Sequence, residues 1–139
     1  MFKIAKIDTF GVGLPLKAPI KMSSVVIDIA ENIIVRIEDT DGTVGWGEAT
    51  EAPTMTGESV PGMLAAVKFL KPLMIGQEIE DLPHVHAMMD DLMYGNHGAK
   101  SAIEIALLDL AGKRDDKPLY EILGGKVRDE APILTMLAG

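Results

Sequence analysis

The stretch "GAKSAIEIALLDLAGKRDDKPL", residues 98–119, constrains the fold more than any other part of the chain. Ala99, Ala102, Ile103, Ala106, Leu107 and Leu110 recur at the spacing of one unbroken α-helical face. Ile105 and Leu108 widen that face, so the helix belongs at the centre of the fold. Three of the face residues are alanines, which let a neighbouring helix or sheet approach closely. Lys117-Pro118 ends the helix. "PLYEILGG" then reads as a short helix with its proline at the first position and Gly124 or Gly125 past its end.

Two further helices precede it. Ser59 is an N-cap candidate, and Met63, Ala66, Val67 and Leu70 follow at helical spacing up to a break at Pro72, with Gly76 ending the extension. Leu82, Val85, Met89 and Leu92 repeat the stripe before Gly95. The first half reads as strands. "KIAKIDTFGVGLPL" sets Ile4, Ile7 and Phe10 among polar residues and closes at Pro15. In "ENIIVRIEDTDGTVGWGEAT", Ile33, Val35 and Ile37 share one face, Asp41-Gly42 predicts a type I′ turn, and Val44, Trp46 and Glu48 return on the partner strand. Gly45 and Gly47 flank Trp46, which predicts that something packs closely over their face. Strands followed by helices, without βαβ alternation, define an α+β domain: a three-stranded antiparallel sheet followed by a helical bundle. Two loops stand out, "PLKAPIKMSS" at 15–24 and "TEAPTMTGE" at 50–58. They lie at strand ends that are expected to share one edge of the sheet.

Composition excludes several functions. Thirteen Lys plus Arg against 21 Asp plus Glu give a net charge of −8, and no basic stripe with interleaved aromatics occurs, which argues against nucleic acid as a partner. The absence of cysteine removes disulfides, thiolate nucleophiles and Cys-based zinc sites, and fits a cytoplasmic location. No apolar run approaches the length of a membrane span, and "MFKIAKIDTFGV" has no continuous apolar core of a signal peptide. The nine methionines read as fillers of irregular core gaps.

The residues alone assemble no active site. His84 and His86 are two apart, so on a helix they point to nearly opposite sides and cannot chelate one ion. Asp39-x-Asp41-Gly42 has its glycine too early for a calcium loop, and "GTVGWG" is not a nucleotide-binding pattern. Glu104 and Asp109 read as ion-pair formers on the central helix, with Asp109 four residues before Lys113.

Read together, "DGTVGWGEAT", "APTMTGES" and "YGNHGAKSAIEIALLDLAGKRDDKPLYEILGGKVRDEAPI" resemble the N-terminal domain of the mandelate racemase and muconate lactonizing enzyme branch of the enolase superfamily. The resemblance implies that residues 1–130 are a capping domain. It also implies that "PILTMLAG", within residues 131–139, is the first strand of a (β/α) barrel otherwise absent from this chain. It further implies a parent isomerase, a cycloisomerase or a racemase/epimerase. Such an enzyme removes the proton next to a carboxylate through an enediolate held by Mg2+ or Mn2+. In that family the acid, the base and the metal ligands sit on the barrel, so no catalytic or metal residue is expected here and the isolated chain is expected to be inactive.

The family gives its capping domain the task of selecting and enclosing the substrate through two loops. By position these place Lys17, Ile20, Lys21, Met22, Thr54, Met55 and Thr56 against a small carboxylate substrate, with either lysine as a partner for the carboxylate. Muconate lactonizing enzymes resemble the chain around "LPLKAPIKM" and "GEAT", but carry a His where Ile20 stands and a longer second loop containing a Tyr. "PTMTGE" instead is similar to the loop of dipeptide epimerases and racemases of acylated amino acids. A homo-oligomer is expected, with neither nucleic acid nor membrane as partner. The alternative reading from a different class is a stand-alone, non-catalytic binding module.

Overall fold

The computed structural model describes residues 1–22 and 25–134. A sheet forms one layer and helices cover one of its faces. The strands are β1 (Phe2–Met22), β2 (Val25–Asp39), β3 (Val44–Thr50) and β4 (Glu78–Ile79), in the antiparallel order β3-β2-β1-β4. The helices are α1 (Val60–Met74), α2 (Leu82–Leu92), α3 (His97–Asp115) and the short α4 (Leu119–Ile122). The sequence reading of three strands followed by helices holds, with the two-residue β4 added beside the start of β1.

Register explains the irregular apolar spacing of β1. Ile4 pairs with Asp39 but Lys6 pairs with Glu38, so one extra residue is inserted at Ala5. That bulge lets Ile4 and Ile7, three apart, both reach the helix-covered face, where each is buried. Phe10 continues the same spacing of three without a second bulge, and so falls on the opposite face, half exposed. Ile33, Val35 and Ile37 of β2 alternate strictly and are fully buried.

The central-helix prediction is met except at Ile105, which does not widen the buried face but is 42% exposed. Ala99, Ala102, Ile103, Ala106, Leu107 and Leu110 are all buried, and α3 lies directly on β3. A Cβ built on Gly45 would stand 2.0 Å from the Ala106 carbonyl oxygen, and one on Gly47 would stand 1.9 Å from that of Ala102. Small residues on both partners are therefore a steric requirement of this contact. The helix also closes the exposed edge of β3: Asp109 accepts from the Trp46 N–H at 2.8 Å and Lys113 donates to the Val44 carbonyl at 3.0 Å.

Three local expectations need correction. The turn at Asp41-Gly42 is not type I′, which requires positive φ at both residues, because only Gly42 has it (φ +86°). Gly42 N–H donates to the Asp39 carbonyl and Asp39 N–H to that of Thr43, giving a three-residue turn with a glycine bulge. The Asp39 carboxylate accepts from the N–H groups of Asp41 and Thr43, a local bond that favours the longer turn. Pro72 does not break α1. It lies in the last turn, where its missing N–H costs one bond, and the helix runs on to Met74 before Gly76 (φ +85°) redirects the chain. Pro118 is the N-cap of α4 rather than its first residue.

One helix end follows the sequence reading: Ser59 caps α1, accepting from the Gly62 N–H. His97 opens α3. Asp81 caps α2, accepting from the His84 N–H at 2.8 Å. Of the expected terminal strand, Ile133 and Leu134 are exposed and outside any strand, while residues 135–139 lie outside the described residues.

Candidate functional site

The first predicted loop is not a loop. β1 and β2 run on as a two-stranded arm well past the last β3 pair, Asn32 with Thr50. Leu14 pairs with Ala30, Pro15 with Ile29, Ile20 with Ile27, Lys21 with Val26, and Met22 with Val25. Between Pro15 and Ile20 the register shifts, because β1 spends five steps where β2 spends two. This irregular stretch contains Leu16, Lys17, Ala18 and Pro19, the last unable to donate to a ladder. The two prolines suggested an irregular loop. Hydrogen bonding across the arm overrides that local preference. The reversal of the arm falls at residues 23 and 24, outside the described residues. From Glu31 to Val25 the arm extends roughly 20 Å beyond the body of the sheet.

The arm has two faces of different chemistry. A Cβ on Gly11 would stand 3.2 Å from Val60 and 3.6 Å from Leu64 of α1, so Gly11 faces the helices. Two residues on, Gly13 shares that face, and its Cβ would meet Ile29 at 3.1 Å. Strand alternation therefore carries the buried row Ile33, Val35 and Ile37 outward into Ile29 and Ile27, with Ile20 opposite Ile27. Ile20 is 40% exposed and Ile29 46%: beyond the exposed Glu31 the row is apolar again, but its cover does not continue. Lys21, paired with Val26, falls on the other face. Both Lys17 and Lys21 are exposed.

The second loop leaves the same end of the sheet. At its base Glu51 N–H donates to the Glu31 carbonyl at 2.9 Å, and Glu31 is the β2 residue paired with Gly13 of the arm. The loop base thus lies one strand spacing, about 5 Å, from the β2 leg of the arm and two, about 10 Å, from its β1 leg. Ala52 and Glu58 form an isolated bridge that closes the loop, and the Ala52 carbonyl accepts from Met55 and Thr56 N–H at 3.0 and 2.8 Å. The Thr56 hydroxyl is engaged inside the loop, 3.2 Å from the Ala52 carbonyl and 3.3 Å from the Glu58 N–H. Thr54 and Met55 project at the tip, with Met55 78% exposed.

The structure thus brings the two predicted segments to one end of the sheet and puts Ile20, Thr54 and Met55 in the open. Thr56 is tied up in holding the loop, and the two lysines are separated from the apolar row by the irregular stretch and by strand alternation. Sequence reasoning missed Ile27 and Ile29, although their alternation with Asp28 and Ala30 was a legible strand signal. It also missed Glu51 and Glu58, whose carboxylates accept from Val60 N–H and Gly98 N–H.

Elsewhere the ionisable groups serve the fold. Lys100 is buried and donates to Asp90 at 2.6 Å and to the Met93 carbonyl, fastening the end of α2 to α3. The hydrogen bond from Lys100 holds the Asp90 carboxyl below its ordinary range. Asp39 has no side-chain exposure. Burial pushes its carboxyl up, but the hydrogen bonds from Arg114, Thr43 and Asp41 outweigh burial and hold it down. His86 Nε2 lies 2.6 Å from Glu104, and Asp109 pairs with Lys113 at 2.7 Å, the structural roles read for both acids. Among the described residues no three His, Asp or Glu side chains converge as metal ligands. No described helix is long and apolar enough to cross a membrane.

An antiparallel sheet with helices on one face, an overhanging arm and a short loop at the same sheet end define an α+β domain. Residues 4–124 match the family model of the mandelate racemase / muconate lactonizing enzyme N-terminal domain, and the chain belongs to this family. It is 35% identical over 137 residues to the N-succinyl-L-Arg/Lys racemase of Bacillus cereus, covering 98% of this chain and 37% of that protein. It is 33% identical over 136 residues to muconate cycloisomerase 1 of Acinetobacter baylyi, covering 95% and 37%. The structure of the L-Ala-D/L-Glu epimerase from Bacillus subtilis, solved with its substrate bound, superposes with a TM-score of 0.80 at 37% identity, over 88% of this chain and 34% of that one. The chain therefore spans little more than a third of the length of these relatives, which are isomerases of the enolase superfamily.

Proposed function

We propose that this chain is the substrate-selecting cap of a metal-dependent isomerase that removes the proton next to a carboxylate through an enediolate. The observation that carries the reading is the placement of two unlike elements at one end of the sheet. One is an arm whose open apolar row is Ile20, Ile27 and Ile29. The other is a short loop tipped by Thr54 and Met55. An apolar row and a tip carrying one hydroxyl and one thioether, at the same end of the sheet, suit a ligand with an apolar portion and a hydrogen-bonding portion.

The described residues do not fit a divalent ion. Their acids and histidines are spread over the helices and turns, several of them in ion pairs that hold the fold. The metal, which would be Mg2+ or Mn2+, and the acid and base therefore belong in this proposal to a barrel outside the chain. This chain's own part is to bind the distal portion of the substrate, orient it and exclude water.

The substrate proposed is an amino-acid derivative such as a dipeptide or an N-acylated amino acid. Relatives named as an N-succinyl-L-Arg/Lys racemase and an L-Ala-D/L-Glu epimerase support that class, and so does Ile20, an apolar residue at the arm position. A muconate remains the alternative substrate, supported by the relative named as a muconate cycloisomerase. A cytoplasmic homo-oligomer completes the proposal; the half-exposed Phe10, Leu14 and Trp46 on the sheet face away from the helices supply apolar surface for association.

The test is a substrate screen of the enzyme in which this domain is joined to its barrel, with dipeptides, N-acyl amino acids and muconates in parallel. Epimerisation or racemisation of one of the first two classes, with Ile20→Phe and Thr54→Trp changing the order of preference, is the expected result. Cap substitutions that slow every substrate by one common factor would defeat the selectivity role, and turnover of muconates alone would defeat the substrate class.

A further inference from the structure

The 51–58 loop is fastened at both ends by carboxylates placed on helix N-termini. Glu51 Oε2 accepts from the Val60 N–H at 3.1 Å, on the first turn of α1. Glu58 accepts from the Gly98 N–H with both oxygens, at 2.8 and 3.0 Å, on the first turn of α3. These N–H groups have no partner within their helices, and the helix dipole favours an anion there. Glu58 reaches across forty positions of sequence, so it links the loop to the helix at the centre of the fold.

The receiving site is shaped for that side chain. A Cβ on Gly98 would stand 2.7 Å from Glu58 Oε2 and 2.8 Å from Met63 Sδ, so a side chain there would push the carboxylate end and the thioether aside. On its other side Glu58 completes the loop itself. Its carbonyl accepts from the Ala52 N–H and its own N–H donates to the Thr56 hydroxyl. One residue therefore joins the loop's closing bridge, its internal hydroxyl bond and the start of α3.

We infer that Glu58 is a positioning residue, clamping the loop onto α3 so that Thr54 and Met55 are held in place before any ligand arrives. This rests on the reading that the loop tip meets substrate. It adds that the loop is a fixed platform rather than a lid that orders on binding, which spares the bound state the loss of loop entropy. Glu51 is the second fastening, at the loop's entry, and acts with it.

The experiment compares the 139-residue chain with its Glu58→Ala, Glu58→Asp and Glu58→Gln variants by hydrogen exchange, following the amides of Met55, Thr56 and Gly98. Glu58→Ala removes the acceptor and Glu58→Asp shortens its reach. Both are expected to speed exchange at these amides roughly five- to tenfold, the loss of a capping bond. Glu58→Gln keeps an acceptor oxygen at the same reach and is expected to restore most of the protection. Unchanged exchange in Glu58→Asp overturns the clamp. So does equal acceleration at core amides such as Val35 and Leu107, since that would make Glu58 a residue of general stability. Should Glu58→Ala fail to fold, the Asp and Gln pair decides.

In the barrel-joined enzyme, Glu58→Asp is expected to raise KM severalfold with kcat nearly constant, as loss of uniform binding requires, and Glu58→Gln to recover it. Faster loop exchange with unchanged KM would leave the clamp standing and defeat the substrate-facing reading of the tip.

Discussion

Gly47 lies under the Ala102 carbonyl so closely that a Cβ would come within 1.9 Å of its oxygen. Backbone cannot swing aside as a side-chain end can, so α3 would have to lift from β3. Gly47→Ala is expected to destabilise the chain by at least about 3 kcal/mol, the upper end for an overpacked core. Trp46, the only tryptophan, sits beside it and reports unfolding by fluorescence. A midpoint in urea within error of the parent's would show that helix and strand are not in this contact.

Lys100→Met should cost about 1–3 kcal/mol, the range for leaving a buried polar partner unsatisfied. The partner in question is the Met93 carbonyl; Asp90 is well exposed and would return to water. Because the Lys100 hydrogen bond lowers the Asp90 carboxyl, NMR titration of the variant should find Asp90 moved up toward its ordinary value. An unmoved Asp90 would mean the pair does not form in solution.

Acid sensitivity follows from Asp39. Its folded carboxyl titrates below the ordinary 3.8, held there by Arg114 and two turn N–H groups against the opposing effect of burial. The folded state therefore binds this proton less readily than the unfolded chain does. The contribution is complete above that ordinary value and is lost as pH falls through the folded one. Asp39→Asn should lower stability at neutral pH and flatten the acid limb of a stability–pH profile. The neighbouring Asp41, on the same guanidinium, retains a weaker attraction. An acid limb identical in parent and variant would remove Asp39 from the account.

At the arm and the loop tip, Ile20→Phe and Thr54→Trp should shift substrate preference in the barrel-joined enzyme while moving the melting temperature by no more than about 2 °C. Both positions are exposed, and exposed substitutions usually change stability by about 0.5 kcal/mol or less. A large fall in melting temperature would assign these side chains to packing instead.

The chain by itself should neither turn over substrate nor bind Mg2+ tightly, because the described residues assemble no ligand set for an ion. Calorimetry with Mg2+ and a racemisation assay on purified chain check both points. Turnover by chain free of full-length enzyme would contradict the cap reading outright.

Helical period marked α3 and its buried face residue by residue, because 3.6-residue spacing is written locally and needs no knowledge of partners. The same holds for the row Ile33, Val35 and Ile37 and for the cap at Ser59. The glycines at 45 and 47 announced a close neighbour, yet only the folded chain shows that it is α3. Ile20 and the tip of the second loop were identified through family resemblance, not through their own chemistry.

Tertiary structure alone decided what depends on pairing between distant segments. A bulge at Ala5 brought Ile4 onto the face of Ile7 while Phe10, with no second bulge, fell on the other, and inter-strand bonds carried β1 through two prolines that signalled a loop. The bond from the Gly98 N–H to Glu58 has no local sequence signal at all, since a carboxylate forty residues from its donor finds it only when the chain has packed. Local spacing fixes which face of an element is apolar. Register and long-range hydrogen bonds, set by the lowest free energy of the whole fold, fix where that face points and what it meets.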